Sequence, residues 1–580
     1  MSQAETLQLE MGRGPVSITF SWLVRVWRCL LVVLIPAAVA LICLNLILRF
    51  EGALGGSVTA VFLYSLFGVD KNLQRVNLVQ TAASGAAFSA WTLVVIVAMM
   101  LINQRLPVGA PSFDLEVWQV MMVLPFVCFQ GMLYVLPGRW GLVHELGLEW
   151  PTATACADLQ TNGLPTNKGW QEVVKTWLHL LAAMGISFAG TFYSNFNPSW
   201  WPSVLKSDSR LVHLTSPLYY AIGILVRYHV GISLVLGALF FNYVELPIIH
   251  EDENWKMWSS IALMMAAGLT LPAFRVLMKL RKRERIAEVE AVTEKKVAFW
   301  GKELLKMEKR AAYKVYGLVF AGNVILLAVF FQWLWDVPVL ATCLGVIVAW
   351  PLVLVSVYCV GSTDINPIAS LVKVMIIGAA LAGFGGGPVG LLALGLIASS
   401  AAVAGDWLSD IKVGDTIGTP LRWRFVFQIL GVLIGLGVAT PALYLLIEVG
   451  GVGEGTALPA PGPEIWANIA VLASEGMNFS RELKLVMLAA AGIGVLWSLL
   501  WSLLHERKAW FNPSMFGFGI VFFLSQDPVV RMSLCVAVCL GSLMRLASSK
   551  LAKSWDKKYA GMMAGAALFA DVLATFFILW

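Results

Sequence analysis

Apolar runs of about 20 residues recur along this chain, the length an α-helix needs to cross the hydrocarbon core of a bilayer. Of its 580 residues 59% are apolar and only 13% charged, where a soluble domain carries about 25% charged residues. The pattern predicts an all-α polytopic protein, integral to a plasma or cytoplasmic membrane, with about 15–17 membrane segments. The runs fall near 29–49, 54–67, 75–101, 116–136, 173–195, 217–226, 228–249 and 257–280 in the first half. In the second half they fall near 315–334, 337–357, 366–384, 386–404, 422–447, 484–504, 514–525, 528–546 and 560–580. The shortest cannot cross alone and are expected as half-helices or re-entrant hairpins, which survive only when buried in protein or lining a cavity.

Residues 1–280 and 311–580 read as two repeated halves joined by a charged linker, 281–310. Gln80-Thr81 and Asp364 each open a segment rich in small residues, and Pro151–Ala157 and Gly405–Gly414 each follow the next span. Repeated halves with the site between them, near the bilayer midplane, are a common plan for secondary transporters. The linker contains Arg281-Lys282-Arg283-Glu284-Arg285, and its interspersed glutamates make it a solvated helix, not a nucleic-acid tail. No basic, aromatic-interleaved patch suits nucleic acid.

The net charge of +6 informs through its distribution. The N-terminus with Arg13, Arg25 and Arg28, the linker, and the loop with Lys550, Lys553, Lys557 and Lys558 are basic and are assigned to the cytoplasm. The stretch 448–482 is acid-rich, contains Pro459, Pro461 and Pro463, and reads as an irregular external lobe. Trp22–Arg28 reads as an interfacial lead-in to the first span, because a cleavable signal peptide has its apolar region earlier.

The eight cysteines include no C-x-x-C pair and lie mostly inside apolar runs, so neither a zinc site nor a disulfide framework is expected. The six histidines do not pair at metal-ligand spacing, and His144-Glu145 lacks the second histidine of a zinc-protease motif. No Ser-His-Asp or G-x-S-x-G arrangement is present, and the Gly383–Gly390 turn lacks the Lys-Ser/Thr of a phosphate loop. The chain is therefore read as a non-enzyme, with no catalytic residue, no cofactor and no metal ligand assigned.

One stretch concentrates polar groups beside apolar runs: Gly405-Asp406-Trp407-Leu408-Ser409-Asp410-Ile411-Lys412-Val413-Gly414, followed by Gly418-Thr419-Pro420. On a helix Asp406 and Asp410 share a face, and charge at membrane depth usually faces an internal pathway. A polar loop at the headgroup level is the alternative, and spacing leaves both open. Asp364, in Thr363-Asp364-Ile365-Asn366-Pro367, suits a helix N-cap and also a substrate contact. Gln80 and Asn366 suit hydrogen bonds to a peptide-like substrate or between helices. Asp571, inside the last apolar run, is a candidate by its depth alone.

Five stretches in order resemble the oligopeptide transporter family, which includes the yellow stripe-like metal-chelate transporters. Gly405–Gly414 is similar to that family's G-D-L-M-Q-D-F-K-T-G, with Ser409 and Val413 departing from it. Asn77-Leu78-Val79-Gln80-Thr81, Pro151–Ala157, Thr363–Pro367 and Pro441–Leu446 resemble the family's N-x-V-Q-T, P-S-G-T-A-T-A, T-D-x-N-P and P-V-L-Y-L-L, with Ala153 in place of a Gly. The resemblance implies proton-coupled symport of small peptides or peptide-like metal chelates. A passive channel, or less readily a membrane enzyme, is the alternative.

With no nucleotide-binding motif, an ion gradient is the available energy source, and carboxylates are the usual proton carriers inside membranes. Asp406 and Asp410 are the expected proton-coupling pair. Asp406 follows the apolar run directly and should lie deeper; Asp410 has Lys412 nearby and should act structurally. Asn77, Gln80, Thr152, Thr154, Asp364 and Asn366 are the expected substrate-binding residues. The expected partners are a small peptide or metal chelate, protons and the lipid bilayer, with a homo-oligomer left open. The Lys/Arg bias predicts that cysteines introduced at Glu290 and Glu454 label with impermeant reagent from opposite membrane faces. Labelling from the same face overturns this topology.

Overall fold

The computed structural model describes residues 15–50, 56–67, 72–105, 115–145, 148, 150–163, 228–244, 309–363, 366–384, 387–453, 460–474, 481–504 and 528–551, with isolated positions in 178–270 and 518–521. The regular structure among the described residues is helical throughout. Eight of its segments are long and apolar enough to cross a membrane, so the chain is an integral, multi-pass protein. Asp364, Asp571 and nearly all of the linker lie outside the described residues.

The helices of the first half are α1 (Pro15–Phe50), α2 (Gly56–Phe67), α3 (Leu73–Ser89), α4 (Trp91–Arg105), α5 (Val117–Val135), α6 (Pro151–Asp158) and α7 (Tyr228–Leu239). After residue 308 come α8 (Lys309–Trp335), α9 (Val339–Thr363), α10 (Ile368–Leu381), α11 (Pro388–Ser399), α12 (Ala401–Ile417), α13 (Leu421–Gly450), α14 (Pro461–Ser474), α15 (Arg481–Leu504) and α16 (Pro528–Leu551). One-turn π-helices at Gly141–Glu145 and Leu159–Gly163 flank α6.

Two 30-residue spans, Leu73–Ile102 and Pro388–Ile417, are buried over 89% of their apolar windows and form the centre. Each is interrupted once, between α3 and α4 and between α11 and α12. Local side-chain chemistry supplies the cause. Ser89 Oγ donates to Ala86 O (2.8 Å) and Thr92 Oγ1 to Ser89 O (2.6 Å). Ser399 Oγ donates to Leu396 O at 2.7 Å. Hydroxyls that bond back to the preceding turn bend a helix.

Both spans are divided along their length. α3 carries Asn77, Gln80, Thr81 and Ser84, whereas α4 is apolar over Leu93–Met100; α11 is apolar, and α12 carries the aspartates. Polar half packs on polar half, α3 against α12, and apolar half on apolar half, α4 against α11. The pairing is antiparallel: Gln74 Nε2, at the start of α3, donates to Gly418 O, just past the end of α12, at 3.1 Å.

The turn after α12 sets the geometry of its neighbour. Gly418 takes φ +83°, and the N–H groups of Gly418 and Thr419 both bond Gly414 O at 2.8 Å, closing the helix. Pro420 then starts α13, which runs back beside α12 and α3.

The stretch 448–482 departs from the irregular lobe expected of it. It holds α14, whose Trp466, Ala467 and Ala470 are fully enclosed and which packs against α4, α10 and α11. Pro461 and Pro463 sit in its first turn, where a missing N–H costs nothing, so they initiate a helix instead of breaking one.

α3 and α13 approach closely because small residues meet along both. A Cβ on Gly431 would lie 1.9 Å from Ala82 O, and one on Gly435 2.6 Å from Ala86 Cα. Close backbone approach of this kind is how membrane helices gain packing energy without a hydrophobic driving force. Gly431→Ala is expected to cost about 1–3 kcal/mol, seen as a lower detergent-solubilised melting temperature, while Gly437→Ala, which meets nothing within 4 Å, leaves it unchanged. Equal melting of both variants refutes the close seam.

Candidate functional site

Asp406 and Asp410 lie on α12, which settles the open choice in favour of a buried helix. Both side chains are enclosed, Asp410 at 0% and Asp406 at 4% exposure. Spacing of one turn points both at α3. Ser84 Oγ donates to Asp406 Oδ1, and Gln80 Nε2 to Asp410 Oδ1 at 2.5 Å. From α13, Gln428 Nε2 donates to Asp406 Oδ2 at 3.0 Å.

A second ring of bonds fixes these donors. Asn77 Nδ2 donates to Gln80 Oε1 at 2.9 Å, one turn earlier on α3. Ser57 on α2 and Ser84 share a hydroxyl contact of 2.8 Å. Asn72 caps α3, its Oδ1 accepting from the Gln74 and Arg75 N–H groups at 3.0 and 3.3 Å, which fixes the rotation of the 77–80–84 face. The donors on the carboxylates are neutral amides and hydroxyls.

The nearest buried cation is Arg424 of α13, not Lys412. Lys412 is partly exposed, and a position two residues from Asp410 faces elsewhere on a helix. Arg424 Nη1 donates to Ile411 O at 2.6 Å and reaches Asp410 O at 3.5 Å, while Nη2 donates to Asp415 Oδ1 at 2.6 Å. Gly414 makes room for it, since a Cβ there would lie 2.2 Å from Arg424 Cδ. Asp415 Oδ2 meets His144 Nε2 at 2.9 Å, and these two side chains are 30% and 26% exposed. The guanidinium thus grips the last turn of α12 and its charge sits beside Asp410 without touching the carboxylate.

The other expected residues surround α12 from different sides. Asn366 is half-buried ahead of α10; its Oδ1 accepts from Ser356 Oγ at 2.5 Å, and its Nδ2 donates to Ala401 O at 3.2 Å. A Cβ on Gly405 would lie 3.1 Å from Asn366 Nδ2, so Asn366 adjoins the start of α12. Thr152 is half-buried and Thr154 exposed on α6, which packs along α12. Asn77 and Gln80 thus join the aspartates in one knot; Asn366, Thr152 and Thr154 lie outside it.

Ser57, Ser84, Arg424 and Gln428 were missed from the sequence. Ser84 had a signal, one turn beyond Gln80 on the same face. Arg424 and Gln428 also share a face of an apolar helix, the mark of polar residues turned inward. Among the described residues no group of three or more His, Cys, Asp or Glu is placed to hold a metal. Arg424→Gln is expected to cost about 2–4 kcal/mol through unpaired buried groups, and Asp415→Asn under about 1 kcal/mol because that carboxylate is partly exposed. Equal unfolding midpoints for the two would refute the grip assigned to Arg424.

Comparison with known proteins gives this geometry a context. A family model described as OPT oligopeptide transporter protein matches residues 29–580. Over 460 residues the chain is 24% identical to the probable metal-nicotianamine transporter YSL11 of Oryza sativa subsp. japonica, covering 69% of this chain and 62% of that protein. It is 25% identical over 470 residues to the iron-phytosiderophore transporter yellow stripe 1 of Zea mays (72% and 66% covered). It is likewise 25% identical over 465 residues to the metal-nicotianamine transporter YSL2 of Arabidopsis thaliana (72% and 68% covered). The chain spans 62% to 68% of the length of these relatives.

Proposed function

Because this chain belongs to the oligopeptide transporter family, we propose that it is a secondary transporter carrying a peptide-like metal chelate of the metal–nicotianamine kind in symport with protons. The observation that carries the reading is the enclosed Asp406–Asp410 pair, held by neutral donors from α3 and α13. A pair of carboxylates in that setting is a place to take up and hand on one proton, the step a symporter needs. The choice of a chelate over a simple peptide rests on the named relatives.

The roles divide around α12. Its face toward α3 and α13 carries the carboxylates and serves coupling. Its flanks toward Asn366 and α6, with Thr152 and Thr154, serve the chelate, together with Asp364. A substrate bound on one side of α12 and a proton on the other bias the same helix, which is what coupling between two sites requires. The half-buried amide of Asn366 offers both a donor and an acceptor to a peptide-like ligand.

The test is uptake into proteoliposomes of iron–nicotianamine against a panel of small peptides, with and without an imposed pH gradient. Gradient-dependent accumulation of the chelate is expected. Uptake that ignores the gradient supports a facilitator instead. Asp406→Asn, which fixes the side chain as a neutral donor–acceptor, should abolish accumulation and leave exchange within about threefold. Asp410→Asn should lower folded yield or both activities together. An Asp406→Asn protein that still concentrates chelate rules out the assignment.

A further inference from the structure

The knot is over-supplied with polar atoms. Asp410 Oδ2, Asn77 Oδ1, Thr81 Oγ1, Gln428 Oε1 and Arg424 Nε are each buried with no hydrogen-bond partner in the protein. They belong to α3, α12 and α13, three helices that pack on one another. The carboxylates dictate this pattern. Each consumes an amide N–H, from Gln80 and from Gln428, and Gln80 Oε1 in turn takes the N–H of Asn77. The leftover amide oxygens of Asn77 and Gln428 must then point away unpaired.

Helical spacing places these atoms in one seam. Asn77, Thr81 and Ser84, at i, i+4 and i+7, share a face of α3. Gly85, next to that face, touches Gln428 of α13: a Cβ there would lie 3.2 Å from its amide carbon. Arg424, one turn before Gln428, reaches the α12 carbonyls of Asp410 and Ile411. From there Asp415 and His144 lead to the surface.

An unpaired buried polar group costs about 1–3 kcal/mol, and five of them on three helices call for an occupant with several hydrogen bonds to give. The set mixes one N–H with carboxylate, amide and hydroxyl oxygens. Water matches it, donating two bonds and accepting two, and buried water in proteins is found where such groups converge. The Arg424 guanidinium opposes a bare cation at the same place.

We propose that the seam between α3, α12 and α13 holds a short file of ordered water, through which Asp410, and Asp406 one turn on, exchange protons with solvent at the Asp415–His144 end. This rests on the coupling reading above. In the transfer, the Asp410 carboxyl O–H bond breaks as its proton bonds to the first water. That water passes one of its own protons along, and the last water releases one to bulk, so the file ends as it began. Arg75, Lys412 and Arg422 lie at that end, a Lys/Arg excess that assigns it to the cytoplasm and makes the file the route by which a symported proton is released.

Thr81 is the place to test it, because its hydroxyl bonds no protein atom and its methyl group can stay. Thr81→Val, reconstituted with an entrapped pH indicator, is expected to slow chelate-driven proton movement about tenfold and leave iron–nicotianamine exchange within twofold. Thr81→Ser should restore the proton rate. An unchanged proton rate in Thr81→Val, or an equal fall in exchange, overturns the proposal. A high-resolution experimental map of the full chain decides it independently of substrate. Water density within hydrogen-bonding distance of Asp410 Oδ2 and Thr81 Oγ1 is expected; side chains closed on one another, or a sodium-dependent density, overturns it. If Asp406→Asn remains coupled, the coupling reading itself falls; if it is uncoupled while Thr81→Val behaves as the wild type, only the water file does.

Discussion

Holding two carboxylates inside a membrane-spanning helix is the demand around which the rest of this molecule is arranged. A buried ion left unpaired costs several kcal/mol, so Asp406 and Asp410 require donors at hydrogen-bond distance. Those donors are short or medium side chains, Ser84, Gln80 and Gln428, and they reach only if the backbones of α3 and α13 come near. That approach in turn requires Gly431 and Gly435 opposite Ala82 and Ala86. It also requires Gly414, over which Arg424 lies to bond the α12 carbonyls. The small-residue seam and the polar knot are one solution to one electrostatic problem.

The membrane class and most helix positions were legible because length and apolarity alone determine them. Two features were not. The interruptions at Ala90 and Ser400 come from hydroxyls folding back on the preceding turn, within runs whose hydropathy stays uniform. α14 was hidden because Pro461 and Pro463 read as breakers, although at a helix start they are tolerated; its buried Trp466, Ala467 and Ala470 carried the correct signal.

Half of the candidate site could be read from residues that resemble a family pattern: Asn77, Gln80, Asp406 and Asp410 do meet. In the folded chain Gln80 holds Asp410. The remainder was invisible for a physical reason. A lone Ser84, Gln428 or Arg424 in an apolar run looks the same whether it joins helices or serves a carboxylate, and only the register between helices decides. Lys412 illustrates the converse: near Asp410 in sequence, it faces away, and the cation beside that residue comes 14 positions later, from the next helix.

These constraints bear on how such a protein could move. α12 can leave α3 only if each carboxylate replaces its protein donors with a proton or with water, because neither a bare ion nor an unfilled amide is tolerable in the apolar surroundings. The α3 and α13 donors therefore bind the ionised pair more tightly than a neutral one, and the position of α12 and the charge on it are linked by that difference. The interruption at Ser400 separates α12 from α11, whose packing on α4 and α14 is apolar. Arg424 works the other way. Bound to carbonyls, not to carboxylates, it holds the last turn of α12 whatever the protonation state of the aspartates. The opposite end of α12 begins beside Asn366, whose amide adjoins Gly405.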